Sequence, residues 1–503
     1  MTTTSSPVSA NVGTWVKQRA ASDPGLPAIK QGETILSYAS LDAAVARFAT
    51  TLRHRGVRAG DRVAMIMPNV AYFPIVYYAI LRIGAIAVPM NPLLKAGEIS
   101  FVWRDCGAEV AVVFPFFAEE ATKAGSVTGT EVIITVPGDF DAELAQTEPT
   151  EQVAELSGDE TAVILYTSGT TGQPKGAELT HANLSSNVRT TIETLLPMGP
   201  GDVIFGGLPL FHSFGQTVGL NAAMAGGACF TLLPKFDPEQ ALSIISADRV
   251  TIFLGVPTMY VGLLAAKNRE HFDTSSLKVA ASGGASLPVE VLRGVEHAFG
   301  FRLLEGYGLS ETSPVASFNH PDRPGKPGSV GTPIRGVEFG LRDEEDREVA
   351  DGEIGEIVIR GENVMKGYWN QPEATADAMR GGWFHSGDLA RRDEDGFYFI
   401  VDRKKDMIIR NGYKVYPREV EEILYAHPTV AEAAVFGIPD ASCGEEVAAL
   451  VTLKEGASAT DDELREYVKE QIAAFKYPRI IRFGPIPKGP TGKILKREIK
   501  FEP

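Results

Sequence analysis

Between residue 30 and about residue 400 the chain repeats one pattern: a short apolar run, a turn rich in Gly, Ser or Thr, then an amphipathic stretch. DRVAMIMP (61–68), AVVFPFF (111–117), TAVILYTSG (161–169), DVIFGGLPL (202–210), TIFLGVP (251–257) and LKVAASGG (277–284) are the clearest runs. Their length suits buried strands and the stretches between them suit helices, so the pattern predicts a layered α/β architecture. At 503 residues the chain is too long for one hydrophobic core. Ligand groups are expected at the loops where such strands end. After LKVAASGG a helix is expected, capped by Ser286, with Pro288 in its first turn and Glu290 at its positive end.

The texture changes near residue 400. GFYFIVDRKKDMIIRNGYKVYP holds two β-like runs around a charged segment, and Asn411-Gly412 is a strong tight-turn signal. A compact α+β pattern follows: helix PREVEEILYAH, strands AEAAVFGIP and EEVAALVTL, a helix opened by a Thr460 to Glu463 capping box, and a basic tail. The expected organisation is a large multi-layer α/β N-terminal domain, residues 1–402, and a small mobile α+β C-terminal domain, residues 403–503, hinged at about 402–405.

A net charge of −16 disfavours nucleic acid and anionic lipid as partners. Cys106, Cys229 and Cys443 are far apart and lack C-x-x-C spacing, which predicts three buried thiols in a reducing, cytoplasmic setting. The N-terminus lacks the apolar core of a signal peptide. Residues 71–90 are the only tempting span, but Arg82, Pro74, Pro89 and several tyrosines interrupt them, so a buried helix leading into a buried strand is expected and no integral membrane segment. A homodimer stays open. The tail from Gln471 to Pro503 carries eight Lys or Arg against two Glu, and PKGPTGKILKRE holds Lys493 in a shaped loop, which points to an anionic ligand.

One loop concentrates backbone freedom, hydroxyls and a cation: YTSGTTGQPKG, residues 166–176. A strand delivers Thr167-Ser168-Gly169-Thr170-Thr171-Gly172, where glycines let amides converge and hydroxyls add donors, as phosphate requires. Lys175 sits between Pro174 and Gly176 with no Ser or Thr directly after it, so this is not a Walker loop.

YTSGTTGQPKG resembles the signature loop of the AMP-forming adenylating superfamily. LPLFHSFG (208–215), SGGASLP (282–288), GYGLSET (306–312), GEIVIRG (355–361), WFHSGDLA (383–390), VDRKKDMI (401–408) and PTGKILKRE (490–498) recur in the family's order. The resemblance, in its acyl-CoA synthetase branch, implies that a carboxylate attacks the α-phosphate of ATP to give an acyl-adenylate and pyrophosphate, and that a thiol, coenzyme A, then displaces AMP. It places Thr167 to Gly172 and Lys175 around the phosphates, Ser310 at the α-phosphate, and Glu311 with Thr167 at Mg²⁺, a hard cation that takes carboxylate oxygen. It places adenine between Tyr307 and the strip Gly283-Gly284-Ala285, within Glu305-Gly306-Tyr307-Gly308, where Glu305 stands at a polar adenine-facing position. Asp388 and Arg403 would hold the ribose. Lys493 would bridge the α-phosphate and the attacking carboxylate, Lys405 would be the hinge, and Gly412, Tyr413 and Lys414 would line the coenzyme A channel, Lys414 against a phosphate.

The acyl pocket is expected between His212, a candidate catalytic residue that would face the carboxylate or else shape the pocket entrance, and the region after GYGLSET, with Phe214, Val218, Met259, Val315 and Ala316 as its wall. The stretch after His212 has no acid to hold an amino-acid ammonium, and Arg302 is the only arginine near enough to hold a second carboxylate. A hydrophobic medium- or long-chain fatty acid is the expected substrate. An aromatic acid of the cinnamate or benzoate type, or delivery of the acyl group to a separate carrier protein, are the alternatives.

Overall fold

The computed structural model describes residues 11–168, 173–440 and 442–500. Each apolar run is a strand: Arg62–Ile66, Val110–Val113, Thr161–Ser168, Val203–Gly206, Ile252–Gly255 and Val279–Ser282. They fall into two large sheets. In the seven-stranded sheet, Ile86–Met90 lies between Arg62–Ile66 and Thr161–Ser168, and Thr161–Ser168 pairs antiparallel with Pro174–Thr180. In the nine-stranded sheet, Val203–Gly206, Ile252–Gly255, Val279–Ser282 and Arg302–Gly308 run side by side in parallel, so their C-terminal ends open on one edge.

The helices Tyr38–His54 and Tyr72–Arg82 belong to the apolar core shared by both sheets. Residues 71–90 are a buried helix followed by the strand Ile86–Met90, as their interrupting polar groups predict. Tyr78 donates to Asn221 Oδ1 at 2.8 Å, which gives this apolar helix a polar anchor. Arg82, 1% exposed, pairs with Asp42 at 2.6 Å. Among the described residues no helix is long and apolar enough to cross a membrane. The three cysteines are buried and free.

The helix after Val279–Ser282 is Val289–Phe299. Pro288 occupies its N-cap position and no side chain caps it, so the helix starts two positions later than a cap at Ser286 predicts. Glu290 is in the first turn as expected. A four-stranded antiparallel sheet, Val337–Arg342, Ile354–Gly361, Phe384–Arg392 and Tyr398–Arg403, leads to the final segment.

That segment has a core of its own, from Ile408 to Ile481. Asn411 (φ 50°) and Gly412 (φ 78°) turn the strand Ile408–Arg410 into Tyr413–Val415, with Arg410 opposite Tyr413, as the Asn-Gly signal requires. Thr460 and Glu463 form the expected capping box on Asp461–Lys469. The basic tail is less free than its sequence suggests. Lys476 pairs with Glu419, Lys488 with Glu432 and Lys496 with Glu421, at 2.7 to 2.8 Å, so much of its charge is neutralised inside the segment.

Arg82 has no other side-chain acid within ion-pair distance among the described residues, so Asp42→Ala should leave a buried guanidinium unpaired. A loss on the order of 3 kcal/mol in the urea unfolding free energy is expected, whereas Asp42→Glu should retain most of the stability.

Candidate active site

The register of Thr161–Ser168 against Pro174–Thr180 sets Thr167 opposite Lys175. Gly169, Thr170, Thr171 and Gly172, which stand between these strands in the sequence, lie outside the described residues. Thr167 Oγ1 donates to Glu311 Oε1 at 3.3 Å, and Tyr368 OH donates to the same oxygen at 3.1 Å. The Lys175 ammonium stands 5.0 Å from the centre of the Tyr368 ring. Burial lifts the Glu311 carboxyl above its ordinary range, against the pull of the two hydroxyls.

Glu311 lies in the short turn Ser310–Thr312, reached from strand Arg302–Gly308. Gly308 has to be glycine, because a Cβ there would meet the Pro314 carbonyl oxygen at 1.8 Å. Asn187 and Asn363 brace the turn by donating to the Val315 carbonyl, and Asn363 also to that of Thr312.

Across the cleft, Tyr307 OH donates to Asp388 Oδ2 at 2.7 Å and Arg403 Nε stands 3.6 Å from Asp388 Oδ1. Asp388 and Arg403 face each other across the antiparallel pair Phe384–Arg392 and Tyr398–Arg403. Lys493 enters this group from the tail. Desolvation, then the Arg403 charge, brings its ammonium down to about 8, although Asp388 and Asp406 pull the other way. Desolvation and the nearby Lys493 bring His212 down to about 4, so its ring is neutral at pH 7; its Nδ1 accepts the Phe214 N–H at 3.3 Å.

A recess joins the backbone shelf Gly283, Gly284, Gly306, Tyr307 and Gly308 to a wall of Phe214, Val218, Leu195, Leu196, Val315 and Phe318, with His212 beside it. Its lining holds no Asp, Glu, Lys or Arg. Two expected wall residues are not part of it. Met259 is buried within helix Pro257–Ala265, and Ala316 follows Val315 on a strand whose successive side chains face opposite ways. Arg302 is spent on the carbonyls of Pro321 and Arg323. Ala285 and Ser310 continue the shelf and the Glu311 turn without lining the recess. Thr191, Leu195 and Leu196, which do line it, sit in a helical stretch with no motif, and Tyr368 belongs to an unremarkable Gly-Tyr pair; neither leaves a sequence signal.

Glu305 is 2% exposed, one oxygen accepting the Leu287 N–H at 2.9 Å and Oε2 without a partner among the described residues. Burial pushes its carboxyl up to about 7, opposed by the charge of Arg418. Lys405 is exposed in the turn after Tyr398–Arg403. Gly412, Tyr413 and Lys414 occupy an exposed hairpin away from the recess lining: Tyr413 stacks on Phe475 with centroids 4.6 Å apart, and Lys414 pairs with Glu344 at 3.2 Å.

A family described as AMP-binding enzyme matches residues 16–369, and its C-terminal domain matches residues 419–493. The chain belongs to the AMP-binding enzyme family. This AMP-binding enzyme is 39% identical over 492 residues to a long-chain-fatty-acid–CoA ligase of Bacillus subtilis strain 168, covering 91% of this chain and 88% of the relative. It is also 39% identical over 494 residues to a feruloyl-CoA synthase of an Amycolatopsis species, covering 97% and 98%. Among solved structures, ATP-bound MatB from Rhodopseudomonas palustris overlays with a TM-score of 0.91 at 34% identity over 97% of each chain, and its apo form with 0.81. The activity is that of an AMP-forming acid–thiol ligase, with ATP and coenzyme A as the family's substrates.

The raised Glu305 carboxyl has a consequence for stability. Its folded pKa, about 7, lies above the ordinary 4.5, so its contribution is fully present below about pH 4.5 and is lost as pH rises through about 7. Glu305→Gln should therefore raise stability at pH 8 by about 1 kcal/mol or more relative to the parent and leave it nearly unchanged at pH 4, read from urea unfolding at both pH values.

Proposed function

We propose that this enzyme activates an apolar monocarboxylic acid, of the medium- or long-chain fatty class, as its adenylate and passes the acyl group to coenzyme A. The observation that carries this reading is the continuous recess running from the glycine shelf to a wall without ionised groups. An ammonium or a second carboxylate would be stranded there unpaired, at a cost of several kcal/mol. An aromatic acid is the second reading, favoured by the similarity to the feruloyl-CoA synthase over nearly the whole of both chains.

In this reading Tyr307 and the strip Gly283-Gly284-Ala285 take adenine, and the Asp388–Arg403 pair takes the ribose hydroxyls. The turn at Thr167 with Lys175 takes the β- and γ-phosphates, and Ser310 the α-phosphate. Glu311 and Thr167 fit Mg²⁺, since one carboxylate beside a hydroxyl suits an ion that takes its remaining ligands from phosphate and water. Such an ion would neutralise charge on the departing pyrophosphate.

Lys493 is the electrostatic bridge. Two anions must meet at the α-phosphate, and a cation held beside Asp388 and Arg403 but without an ion pair of its own, among the described residues, is free to lie between them. His212, neutral, shapes the acyl entrance. Residues 403–503 form the mobile domain, and the turn at Lys405 lets them rotate, withdrawing Lys493 and bringing Gly412, Tyr413 and Lys414 to the thiol's approach.

Pyrophosphate release should be measured with and without coenzyme A across carboxylic acids from C2 to C18 together with cinnamate and benzoate. Highest turnover on C8 to C18 acids, with coenzyme A consumed, is expected; preference for cinnamate would select the aromatic reading, and no pyrophosphate with any acid would overturn both. Lys493→Ala should slow adenylate formation by roughly 10²-fold or more. Because Lys493 must carry its proton, the second-order rate constant for ATP should fall as pH rises through about 8. In Lys493→Arg that fall should move to higher pH, since a guanidinium keeps its charge.

A further inference from the structure

The loop that carries Lys493 meets the larger part of the molecule at one tight point. Gly492 has φ 77°, and a Cβ on it would meet Thr258 Oγ1 at 2.6 Å and Val256 Cγ2 at 2.9 Å. Thr258 Oγ1 donates to the Gly492 carbonyl at 3.1 Å. Thr258 lies in the first turn of helix Pro257–Ala265, whose N-cap position is Val256. Val256 also faces the nucleotide shelf, because a Cβ on Gly284 would lie 3.5 Å from Val256 Cγ1. One helix start thus touches both the shelf and the residue next to Lys493.

The rest of the loop is held from its own side. Gly489 N–H donates to the Lys493 carbonyl at 2.8 Å, and Lys488 and Lys496 pair with Glu432 and Glu421. These contacts stay within residues 403–503 and fix the shape of the loop. The Thr258–Gly492 contact fixes its position over the nucleotide site.

We propose that Thr258 is a positioning residue for the first half-reaction: its hydroxyl docks the Gly492 carbonyl and so sets Lys493 between nucleotide and carboxylate, with no part in the transfer to the thiol. This rests on Lys493 acting as the bridge in adenylate formation. The contact is short-range and directional, so removing the hydroxyl costs the lysine its place without removing its charge. Gly492 is required for the same reason, as any side chain would push the loop off the dock.

The test separates the half-reactions in Thr258→Val, which keeps the branched shape and loses the hydroxyl. Pyrophosphate release with acid and ATP should fall about 5- to 10-fold, the scale of one lost hydrogen bond. Thioester formation from supplied acyl-adenylate and coenzyme A should stay within about 2-fold of the parent. Thr258→Ser, which keeps the donor, should restore the first step. In a Lys493→Ala background Thr258→Val should add no further loss. Equal losses in both half-reactions, an additive loss in that background, or an unchanged first step would overturn the dock. A normal first step in Lys493→Ala itself would instead overturn the bridge on which the dock depends.

Discussion

The proposed reaction turns on a cation that, among the described residues, is kept without a fixed partner. Carboxylate and triphosphate repel each other, and a lysine paired to its own acid could not serve both. In the basic tail, Lys476, Lys488 and Lys496 each have an acid at ion-pair distance, whereas Lys493 among the described residues has none. Its surroundings balance instead. Burial, then Arg403 and Lys405, press its pKa down to about 8 while Asp388 and Asp406 oppose them, which leaves an ammonium that is charged at neutral pH and open to new neighbours. The glycine shelf, the apolar recess and the Thr167–Glu311–Tyr368 group are arranged on the ends of strands around that position.

Much of the fold could be read from apolar periodicity, because a buried strand must be apolar over its whole length. Thr161–Ser168 and Ile252–Gly255 coincide with their runs within a residue or two at each end. The buried ion pair Arg82–Asp42 could not be foreseen, since its partners are 40 positions apart and each looks like an ordinary surface charge. The helix start at Val289 shows a different limit. Ser, Pro and Glu in the right order suggested a capped end, yet the chain enters through Pro288 with no side-chain cap.

The candidate site divides in the same way. Residues that belong to contiguous motifs, such as Tyr307 and Glu311, or Asp388 and Arg403, could be named because their spacing is carried by the chain itself. The recess wall could be named only in part: Phe214, Val218 and Val315 lie in or just after motifs, while Leu195 and Leu196 come from a helical stretch that reads as ordinary core, and Met259 and Ala316, apolar candidates by sequence, do not line it. Contacts that join distant segments leave no mark at all. Asn187 and Asn363 hold the same Val315 carbonyl from positions 176 residues apart in the chain, and each alone looks like a loop residue.

The three ion pairs of the tail lie wholly inside residues 403–503, and two of their acids, Glu421 and Glu432, are shielded from water. Of the pairs that link this segment to the larger one, Lys414–Glu344 and Lys267–Glu455 are well exposed, whereas Arg403–Asp388 and Lys404–Glu356 each set a shielded acid against the segment's cation. Dissolved electrolyte screens exposed pairs far more than shielded ones. A rise in ionic strength therefore weakens the two exposed links first and leaves the shielded ones, and with them the shape of the lysine loop, largely as they are.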